Sequence, residues 1–410
     1  MEVELISIGS ELTSGKVVNT NASFMTGILE NNGIKTLRIT TIGDEKDFIV
    51  KALKECLPST KAVIVTGGLG PTPDDITRNA VSCAFDRKLI RNLKAMEAMK
   101  KWYHKWGMEP EEIDFAQAYF PRGSKLLSNP IGVFGFYLED MGRLYFFIPG
   151  VPQEMELLIK GKIIPLLKKR MPLKVVDFRT YKIFGLTESR IANKLKDLEN
   201  NLKDIRFSYL PKFPEIHLVV SGEGENKKKV KINLDSVEKK IESILGNYIF
   251  SKKGLSIQEE VGRLLLKNNA TVSIAESCTG GLVGHLLTEV PGSSQYFERG
   301  VIVYSNQAKN DILGISPEII KEFGAVSKQT VEVMALNARI HANTTLGLAL
   351  TGIAGPSGGT EKKPVGTVYT CLSDPEGIKT RKFLFPGNRK IIKELAAHTA
   401  LDQVRRYFLK

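Results

Sequence analysis

The amino-acid sequence predicts an α/β protein with two sandwich-type α/β domains, each holding a mostly parallel sheet, joined by a small α+β module. Short apolar runs alternate with helical patterns over residues 1–170, the order of elements changes over residues 171–253, and the alternation resumes over residues 254–410. Strands that alternate with helices form parallel sheets covered by helices. A chain of 410 residues is also too long for one ordinary hydrophobic core.

The first domain, residues 1–170, is predicted from four strand-like runs and four helical patterns. The strand-like runs are VELISIG, IKTLRITTIG, KAVIVTGG and RLYFFIPG. The helical patterns are NTNASFMTGILENNG, DEKDFIVKALKECL, DDITRNAVSCAF and VPQEMELLIKGKIIPLL. Ligands of such sheets bind at the carboxyl ends of the strands, so the loops after these runs are the candidate site.

The strongest motif of this domain is the glycine-rich loop TGGLGPT, which follows the run KAVIV and leads to a helix predicted to start near Asp74. Glycines let the backbone approach a ligand closely, and free N–H groups at a helix start favour phosphate. Asp74 and Asp75 suit either N-caps or ligands of a Mg²⁺-type cation. The loop is not a P-loop, because GxxxxGK[ST] is absent. The residues expected to contact phosphate are Gly67, Gly68, Gly70 and Thr72.

Further loop motifs follow the other strands: GSEL at 9–12, Asn19-Thr20-Asn21, NPIG at 129–132 and IPGVP at 148–152. Together with TGGLGPTPDD they resemble the molybdopterin-binding-like domain that opens the CinA (competence/damage-inducible) family. The resemblance implies an ADP-ribose pyrophosphatase that uses a divalent metal, Mg²⁺ or similar, held by Asp74 or Asp75. It also places Asn19, Thr20 and Asn21 at the nucleotide. The chain departs from the family at Val133-Phe134, where a small Thr-Ala pair is usual.

The middle module, residues 171–253, has the predicted order β-α-β-β-α. Its segments are MPLKVVDFRTYKIFG, TESRIANKLKDLENN, DIRFSYLP, EIHLVVSGEG and NKKKVKINLDSVEKKIESILG. KH-type RNA-binding domains share this order, but their GxxG backbone clamp has no match at Gly185-Leu-Thr-Glu188. We therefore interpret the module as a spacer or a dimerisation element and do not expect it to bind RNA.

The composition is that of a soluble globular protein, with 42% hydrophobic and 25% charged residues. A net charge of +13 indicates anionic partners, either nucleic acid or phosphorylated small molecules, or no specific partner at all. The four cysteines lie far apart without a CxxC pair, so neither disulfides nor a zinc site is expected. No apolar run approaches the roughly 20 residues that span a bilayer. The N-terminus reads as a strand and not a signal peptide, so we expect a cytoplasmic protein without a membrane partner.

The third domain, residues 254–410, is predicted from a second alternation of elements. Its helices are IQEEVGRLLLKNN, the segment after TGG, two around 308–313 and 328–343, and NRKIIKELAAHTALDQVRRYF. Its strands are TVSIA, GVIVYSN, LGLALTG and VGTVYTCLS. We find no repeat between the two α/β halves, so they are expected to be unrelated domains.

The segment IAESCTGG, residues 274–281, places three possible nucleophiles side by side after a strand. Ser277 or Thr279 could instead cap the following helix. Cys278 at a helix start would have a lowered pKa, but it needs a base. His285 lies about 10 Å further along the same helix at 1.5 Å per residue, too far for direct proton transfer. His398 in the C-terminal helix remains open as a partner.

A serine nucleophile also needs a base, and a lysine whose pKa is lowered by burial can serve. The strand GVIVYSN places Tyr304 near its end, and Lys309 follows in the next turn or helix. Both are expected at the rim of the sheet where the Ser277 turn lies. Taken singly, each has an ordinary structural explanation, so only the set of three suggests catalysis.

A second glycine-rich turn, Thr351-Gly-Ile-Ala-Gly-Pro356, also follows a strand and can present N–H groups to an oxyanion or phosphate. The series ESCTGG, VPGSS, GVIVYSNQAK, TGIAGPSGG and KPVGTVY resembles the C-terminal CinA domain, which stand-alone bacterial nicotinamide mononucleotide deamidases share. The resemblance implies Ser277 as nucleophile, Lys309 as base and Tyr304 as an orienting or relaying group, with no cofactor. Ser357 replaces a common Asp. The residues expected at substrate or oxyanion are Glu276, Thr279, Gly280, Gly281, Thr351, Gly352 and Gly355.

The two resemblances cover nearly the whole chain and imply a bifunctional salvage hydrolase. Its partners would be pyridine nucleotides and ADP-ribose, and a homodimer is expected. One alternative is that the front domain has lost catalysis and only the amidase acts. The other is a nucleic-acid or recombination partner, suggested by the basic charge and the KH-like order; without a GxxG loop or an aromatic-interleaved basic patch we do not expect nucleic-acid binding as the main role.

Overall fold

The computed structural model describes residues 1–105, 107–111, 114–129 and 132–409. The chain divides into two compact units, one formed by Met1–Asp177 with Gly222–Ile232 and the other by Phe178–Ser221 with Asn233–Lys410. None of the helices in the described ranges combines the length and apolar character needed to cross a membrane.

The first unit contains the first run of alternating strands and helices. Its strands are β1 (Glu2–Ile8), β2 (Lys35–Ile42), β3 (Ala62–Thr66), β4 (Leu89–Arg91), β5 (Tyr119–Pro121), β6 (Lys125–Leu127), β7 (Gly135–Asp140) and β8 (Arg143–Ile148). Its helices are α1 (Ser10–Thr13), α2 (Thr20–Glu30), α3 (Lys46–Lys54), α4 (Thr77–Ala84), α5 (Leu93–Lys105), α6 (Pro152–Leu158) and α7 (Ile164–Arg170). A 3-10 turn spans Asp114–Ala118, and a π-helical turn, Ile159–Ile163, joins α6 to α7.

Six of these strands form one sheet in the order β2-β1-β3-β8-β7-β6. The first four are parallel, β7 runs antiparallel to β8, and β6 runs antiparallel to β7. Apolar clusters cover both faces of the sheet, as expected for an α/β sandwich. In the register Ser7 pairs with Thr66, and Thr66 pairs with Ile148, so the loops after β1, β3 and β8 leave the same edge. The predicted α/β class is confirmed, whereas strands β6 and β7 were not predicted.

The middle module has the predicted order of elements. It consists of β9 (Val175–Ile183), α8 (Glu188–Asn200), β10 (Ile205–Lys212), β11 (Glu215–Gly224) and α9 (Lys227–Leu245). After a 3-10 turn, Gly246–Tyr248, the short strand β12 (Ile249–Ser251) completes a four-stranded sheet in the order β10-β11-β9-β12. The KH-like arrangement is therefore confirmed, with one strand more than the sequence pattern indicated.

The remainder of the chain forms the C-terminal α/β domain. Its helices are α10 (Ile257–Lys267), α11 (Leu282–Thr288), α12 (Asn306–Leu313), α13 (Pro317–Phe323), α14 (Lys328–Ala342) and α15 (Arg389–Tyr407). Its strands are β13 (Val272–Glu276), β14 (Phe297–Ile302), β15 (Leu346–Gly352), β16 (Thr367–Asp374) and β17 (Gly377–Leu384). A 3-10 turn spans Ser293–Gln295.

The sheet of this domain has the order β14-β13-β15-β16-β17, with the first three strands parallel. Glu276, the last residue of β13, pairs with Ile302 on one side and with Leu350 on the other. The segments after β13, β14 and β15 therefore emerge side by side from one edge. This register brings the IAESCTGG turn next to the segments that carry Lys309 and the second glycine-rich turn.

Candidate active site

Ser277 and Lys309 meet at this edge of the sheet. Ser277 follows β13 directly, and its N–H donates to the carbonyl of Leu350 on the neighbouring strand at 3.2 Å. Lys309 lies in α12, whose N-terminus is capped by the side chain of Ser305. The Lys309 Nζ lies 3.1 Å from the Ser277 Oγ, which is hydrogen-bond distance. The two residues predicted as nucleophile and base are thus in direct contact.

The surroundings of Lys309 favour a neutral amine. Its side chain is 1% exposed, and burial lowers its pKa from the ordinary value of 10.5. Besides Ser277, the Nζ contacts the carbonyl oxygens of Val303 at 2.8 Å, Tyr304 at 3.2 Å and Ser305 at 3.5 Å. A neutral amine has two hydrogens, which suffice for the two nearer carbonyls. Its lone pair then remains to accept the hydroxyl proton of Ser277.

Glu276 holds the serine turn in place and does not face a substrate, which corrects the sequence-based prediction. Its carboxylate is 1% exposed and accepts hydrogen bonds from the N–H groups of Gly281 (3.1 Å), Val283 (3.2 Å) and Gly284 (2.8 Å). N–H groups at the start of a helix such as α11 have no carbonyl partner within the helix, and a negative charge is stabilising there. The turn itself needs glycine, because Gly280 and Gly281 have φ angles of +63° and +96°.

The donors left over in this turn belong to Thr279 and not to the glycines. The N–H of Gly280 donates to the Ser277 carbonyl at 3.2 Å, and that of Gly281 is bound to Glu276. Within the described ranges, the N–H of Thr279 makes no hydrogen bond, and its buried hydroxyl has no partner either. Of the residues in this turn that were expected to stabilise an oxyanion, Thr279 is therefore the one with unused donors among the described contacts.

Cys278 is unsuited to act as the nucleophile. Its side chain is 5% exposed and packs in the hydrophobic core, and burial raises the pKa of its thiol to about 12. His285 contacts Glu289 at 3.4 Å, and the Nδ1 of His398 contacts the Glu394 carbonyl at 3.0 Å. Neither histidine is hydrogen-bonded to the thiol in the described structure, so neither serves Cys278 as a base.

Tyr304 does not stand in the predicted relay position. Strand β14 ends at Ile302, so Tyr304 lies in the connection to α12, and its side chain is 59% exposed. Its hydroxyl accepts a hydrogen bond from Arg389 Nη2 at 2.8 Å. Only its backbone carbonyl contacts Lys309. The sequence pattern placed Tyr304 at the correct edge but could not give the direction of its side chain.

The second glycine-rich turn packs against the serine turn. The hydroxyl of Thr351 donates to the Ala325 carbonyl at 2.9 Å, so it braces the fold. At Gly352 an added Cβ would lie 2.7 Å from Val368 and 3.1 Å from the Cys278 Sγ, so only glycine fits there. The carbonyl of Gly355 accepts a hydrogen bond from Arg389 Nη1 at 2.9 Å. These three residues therefore shape the wall of the site.

A basic cavity lies beside the serine turn, and the sequence patterns did not predict it. It has a volume of about 470 Å³ and is lined by Leu282 at the start of α11 and by residues at the start of α15, namely Arg389, Lys390, Lys393 and Glu394. Lys393 is close to the turn, because its Nζ lies 3.8 Å from an ideal Cβ position on Gly280. The three cations form no ion pair with a carboxylate in the part of the chain that the structure describes. The only signal in the sequence was the basic run NRKIIK, more than 100 residues from Ser277.

The predicted phosphate loop of the first unit has the conformation expected of a close backbone approach. Gly67 and Gly68 have φ angles of +107° and +65°. An added Cβ would lie 2.2 Å from the Ile8 carbonyl oxygen at Gly67 and 2.3 Å from the Thr77 hydroxyl at Gly68. Arg78 stabilises the loop, because its guanidinium donates to the carbonyls of Leu69 and Gly70 at 2.8 and 2.9 Å.

The following helix starts later than predicted. It begins at Thr77, so neither Asp74 nor Asp75 caps it. Asp75 braces the loop, because its Oδ2 accepts hydrogen bonds from the N–H (2.9 Å) and hydroxyl (2.5 Å) of Thr72. A hydrogen bond from Thr72 lowers the pKa of the exposed Asp74. The described residues contain no cluster of three or more side chains suited to a metal. The donor set fits a Mg²⁺ ion held by one or two carboxylates, which completes its shell with water and substrate phosphate.

The segment Asn19–Asn21 lines a small cavity at the same edge of the sheet. Asn19 caps α2 by accepting from the Ala22 N–H at 3.1 Å, and its amide contacts the Thr41 hydroxyl at 3.1 Å. Thr20 also lines the cavity. The amide of Asn21 donates to the Gly150 carbonyl at 2.7 Å. The cavity measures about 150 Å³ and includes the hydroxyl of Ser7, which is buried without a partner among the described residues. The NPIG motif lies partly outside the described residues, at positions 130 and 131.

Comparison with known proteins assigns all three parts of the chain. Residues 4–169 match the family described as probable molybdopterin binding domain, residues 178–251 the damage-inducible protein CinA KH domain, and residues 255–408 the CinA C-terminal domain. A CinA-like protein of Desulfosudis oleivorans is 39% identical, with 100% of both chains covered. A CinA-like protein of Geobacter metallireducens is 37% identical, again with 100% of both chains covered.

The solved structures that are similar to this chain include that of competence/damage inducible protein CihA from Agrobacterium tumefaciens. It is 36% identical, with 38% of this chain and 98% of that chain covered and a TM-score of 0.36. The relatives that match over their full length, together with the three domain matches in order, establish the relationship. The chain belongs to the CinA family.

Proposed function

We propose that the C-terminal domain is a serine amidase that converts nicotinamide mononucleotide to nicotinic acid mononucleotide and ammonia. The observation that carries this proposal is the contact between the Ser277 hydroxyl and the buried Lys309 amine at 3.1 Å. A serine hydroxyl is a weak nucleophile until a base removes its proton, and a desolvated lysine is such a base. The choice of nicotinamide mononucleotide as the substrate is inferred from the family resemblance.

The reaction proceeds through an acyl-enzyme. The Ser277 oxygen forms a bond to the carboxamide carbon while its proton moves to the Lys309 nitrogen. The N–H and hydroxyl of Thr279 stabilise the negative oxygen that develops. The C–N bond then breaks, and ammonia leaves with the proton that Lys309 returns. Water then attacks the ester carbon while its proton moves to the same lysine. The bond between the acyl carbon and the Ser277 oxygen breaks, Lys309 returns the proton to that oxygen, and nicotinic acid mononucleotide leaves. No metal takes part.

The basic cavity supports a phosphorylated substrate. Lys393 is half-buried next to the serine turn, and Arg389 is held by the Gly355 carbonyl and the Tyr304 hydroxyl. Cations without carboxylate partners suit a phosphate group. We expect Lys393→Gln to raise the KM for nicotinamide mononucleotide without changing that for the riboside. Lys267→Gln, an exposed lysine on α10, is the matched control and should change neither.

The test of the amidase proposal is ammonia release from nicotinamide mononucleotide in the presence of a chelator. The wild type should release ammonia, and Ser277→Ala should release none above background. Undiminished release by Ser277→Ala would remove Ser277 as the nucleophile. Complete loss of wild-type activity on chelation would contradict a mechanism without metal.

We further propose that the first unit cleaves ADP-ribose at its pyrophosphate with a divalent metal. The left-handed glycines of the phosphate loop and the adjacent Asp74 and Asp75 support this second activity. The metal would be held by these carboxylates and would polarise the phosphate oxygens. The backbone N–H groups of the loop would contact the phosphates. Thr72 and Arg78 stabilise the conformation of the loop through their hydrogen bonds.

Asp74→Asn is the informative variant for this activity. Asp75 also braces Thr72, so its loss would change the loop as well as the metal site. We expect Asp74→Asn or a chelator to abolish formation of AMP from ADP-ribose while ammonia release in the same sample continues. Unchanged cleavage under both conditions would refute the metal site.

A further inference from the structure

A polar cavity lies on the outer side of helix α4, and neither proposed activity uses it. It has a volume of about 470 Å³, within the range of small-molecule sites. We refer to it as the α4 cavity. The side chains used below are Lys46, Asn79, Ser82, Asp86, Arg87 and Lys88.

Helix α4 separates this cavity from the phosphate loop. Thr77 and Arg78 face the loop, because both side chains donate to its carbonyls, and Val81 is buried in the core. Asn79 and Cys83 lie on another face of the helix, since both are exposed and they are four residues apart. The α4 cavity is therefore a separate feature of the first unit.

Cationic side chains form part of the wall of the α4 cavity. Lys46 is the first residue of α3, and Arg87 and Lys88 follow the end of α4. Arg87 is held by the Glu139 carbonyl at 2.8 Å and by the Asp140 carboxylate at 3.3 Å. In the ranges that the structure describes, neither lysine lies within ion-pair distance of a carboxylate. Lysines without a carboxylate partner suit a phosphate group.

Beside the cations lie an amide, a hydroxyl and a carboxylate, which belong to Asn79, Ser82 and Asp86. None of these three side chains makes a hydrogen bond to another described residue. The amide and the hydroxyl both donate and accept, whereas the carboxylate only accepts. Sugar hydroxyl groups also donate and accept, so they match this set. The carboxylate repels a ligand that is anionic throughout, so the fitting ligand has a neutral part as well as a charged one.

We propose that the α4 cavity binds a phosphorylated sugar. The phosphate contacts Lys46 and Lys88 through charge-assisted hydrogen bonds, which are the strong ones. The sugar hydroxyl groups contact Asn79, Ser82 and Asp86. Inorganic phosphate uses only the lysines and a free sugar uses only the other groups, so each binds more weakly than the ester. The inference is independent of both proposed activities, because none of these residues takes part in either.

Alkylation of Cys83 in the full chain provides the test. Cys83 lines the same cavity and is the exposed one of the four cysteines, so its thiol serves as a reporter. Neutral iodoacetamide labels the thiol, and peptide mass spectrometry gives the labelling rate. We expect glucose 6-phosphate or ribose 5-phosphate at about 10 mM to slow this rate at least about five-fold, as for a Kd of about 2 mM. Glucose, ribose or inorganic phosphate at the same concentration and ionic strength should slow it less than about two-fold.

Two variants locate the effect. Lys46→Gln and Lys88→Gln each remove one hydrogen bond to a charged group, so each should raise the Kd of the sugar phosphate about ten-fold. Lys54→Gln, an exposed lysine at the end of α3, is the matched control and should leave the Kd unchanged. The labelling rate of each variant is compared with and without the sugar phosphate, because loss of a nearby cation also changes the reactivity of a thiol.

Unchanged labelling of Cys83 in the presence of both sugar phosphates would overturn the inference. Protection by inorganic phosphate equal to that by the sugar phosphates would also overturn it, because the site would then recognise an anion and not a sugar. Protection that persists undiminished in Lys46→Gln and Lys88→Gln would place the ligand outside the α4 cavity and overturn it as well. Slower labelling by the sugar phosphates alone, weakened by both variants and not by Lys54→Gln, is the result that supports the site.

Discussion

Replacing Lys309 by Met removes the proposed base while keeping an unbranched side chain of similar length in the same buried position. Lys309 is 1% exposed, and its Nζ lies 3.1 Å from the Ser277 Oγ. General bases contribute about 10²–10⁴ in rate, which corresponds to about 2.7–5.4 kcal/mol of activation free energy. We therefore expect Lys309→Met to lower kcat for ammonia release by at least about 100-fold, with a much smaller change in KM.

The same variant makes a prediction about stability and pH. Burial lowers the pKa of Lys309 in the folded protein below the 10.5 of the unfolded chain. Between these two pKa values the unfolded chain binds one more proton than the folded protein. The free energy of unfolding of the wild type therefore rises with pH across this window, by at most about 1.4 kcal/mol per pH unit. Lys309→Met lacks this contribution.

Two assays check these expectations. Ammonia release gives kcat and KM, and the wild-type rate should rise with pH as Lys309 loses its proton. Urea unfolding at several pH values gives the difference in unfolding free energy between wild type and variant. The pH values extend upward from about 7 and stay below the ordinary lysine pKa of 10.5. A variant that keeps more than about a tenth of the wild-type kcat would refute Lys309 as the base. A difference that does not change with pH would refute its lowered pKa.

Three further variants test the remaining assignments. Tyr304→Phe should keep kcat within about three-fold, because its hydroxyl contacts Arg389 and not the reacting pair; a loss above about 100-fold would restore the relay role. Glu276→Gln should lower the free energy of unfolding by about 2–4 kcal/mol in urea, because an amide cannot accept from all three N–H groups, and unchanged stability would contradict its role in the turn. Cys278→Ala should keep ammonia release while losing about 1 kcal/mol of stability, since it is a core side chain.

The edge of the sheet at which Ser277 and Lys309 lie could be predicted from the sequence, because the direction of the strands fixes it. Strands that run parallel end at one edge, so the segments after β13 and β14 had to meet there. The contact itself depends on the direction in which Lys309 leaves α12, and hydrophobic patterns contain no such information. For the same reason Tyr304 was placed at the correct edge, but its side chain points to Arg389.

Other features depend on pairings between distant segments. Glu276 could not be distinguished from a substrate contact until the start of α11 was seen to fold back on it. Lys393 is far from Ser277 in sequence and reaches the site only because α15 begins beside α11. The charged edge strand β17 was missed because its segment, GIKTRKFL, lacks the apolar pattern of a buried strand, as is common at sheet edges.

The central claim is that Ser277, and not Cys278, forms the covalent intermediate. The most direct measurement is to quench the reaction with nicotinamide mononucleotide within the first turnover and map the acyl adduct by peptide mass spectrometry. The account predicts an adduct on Ser277 in the wild type and in Cys278→Ala, and none in Ser277→Ala. An adduct on Cys278, or steady ammonia release by Ser277→Ala, would contradict it.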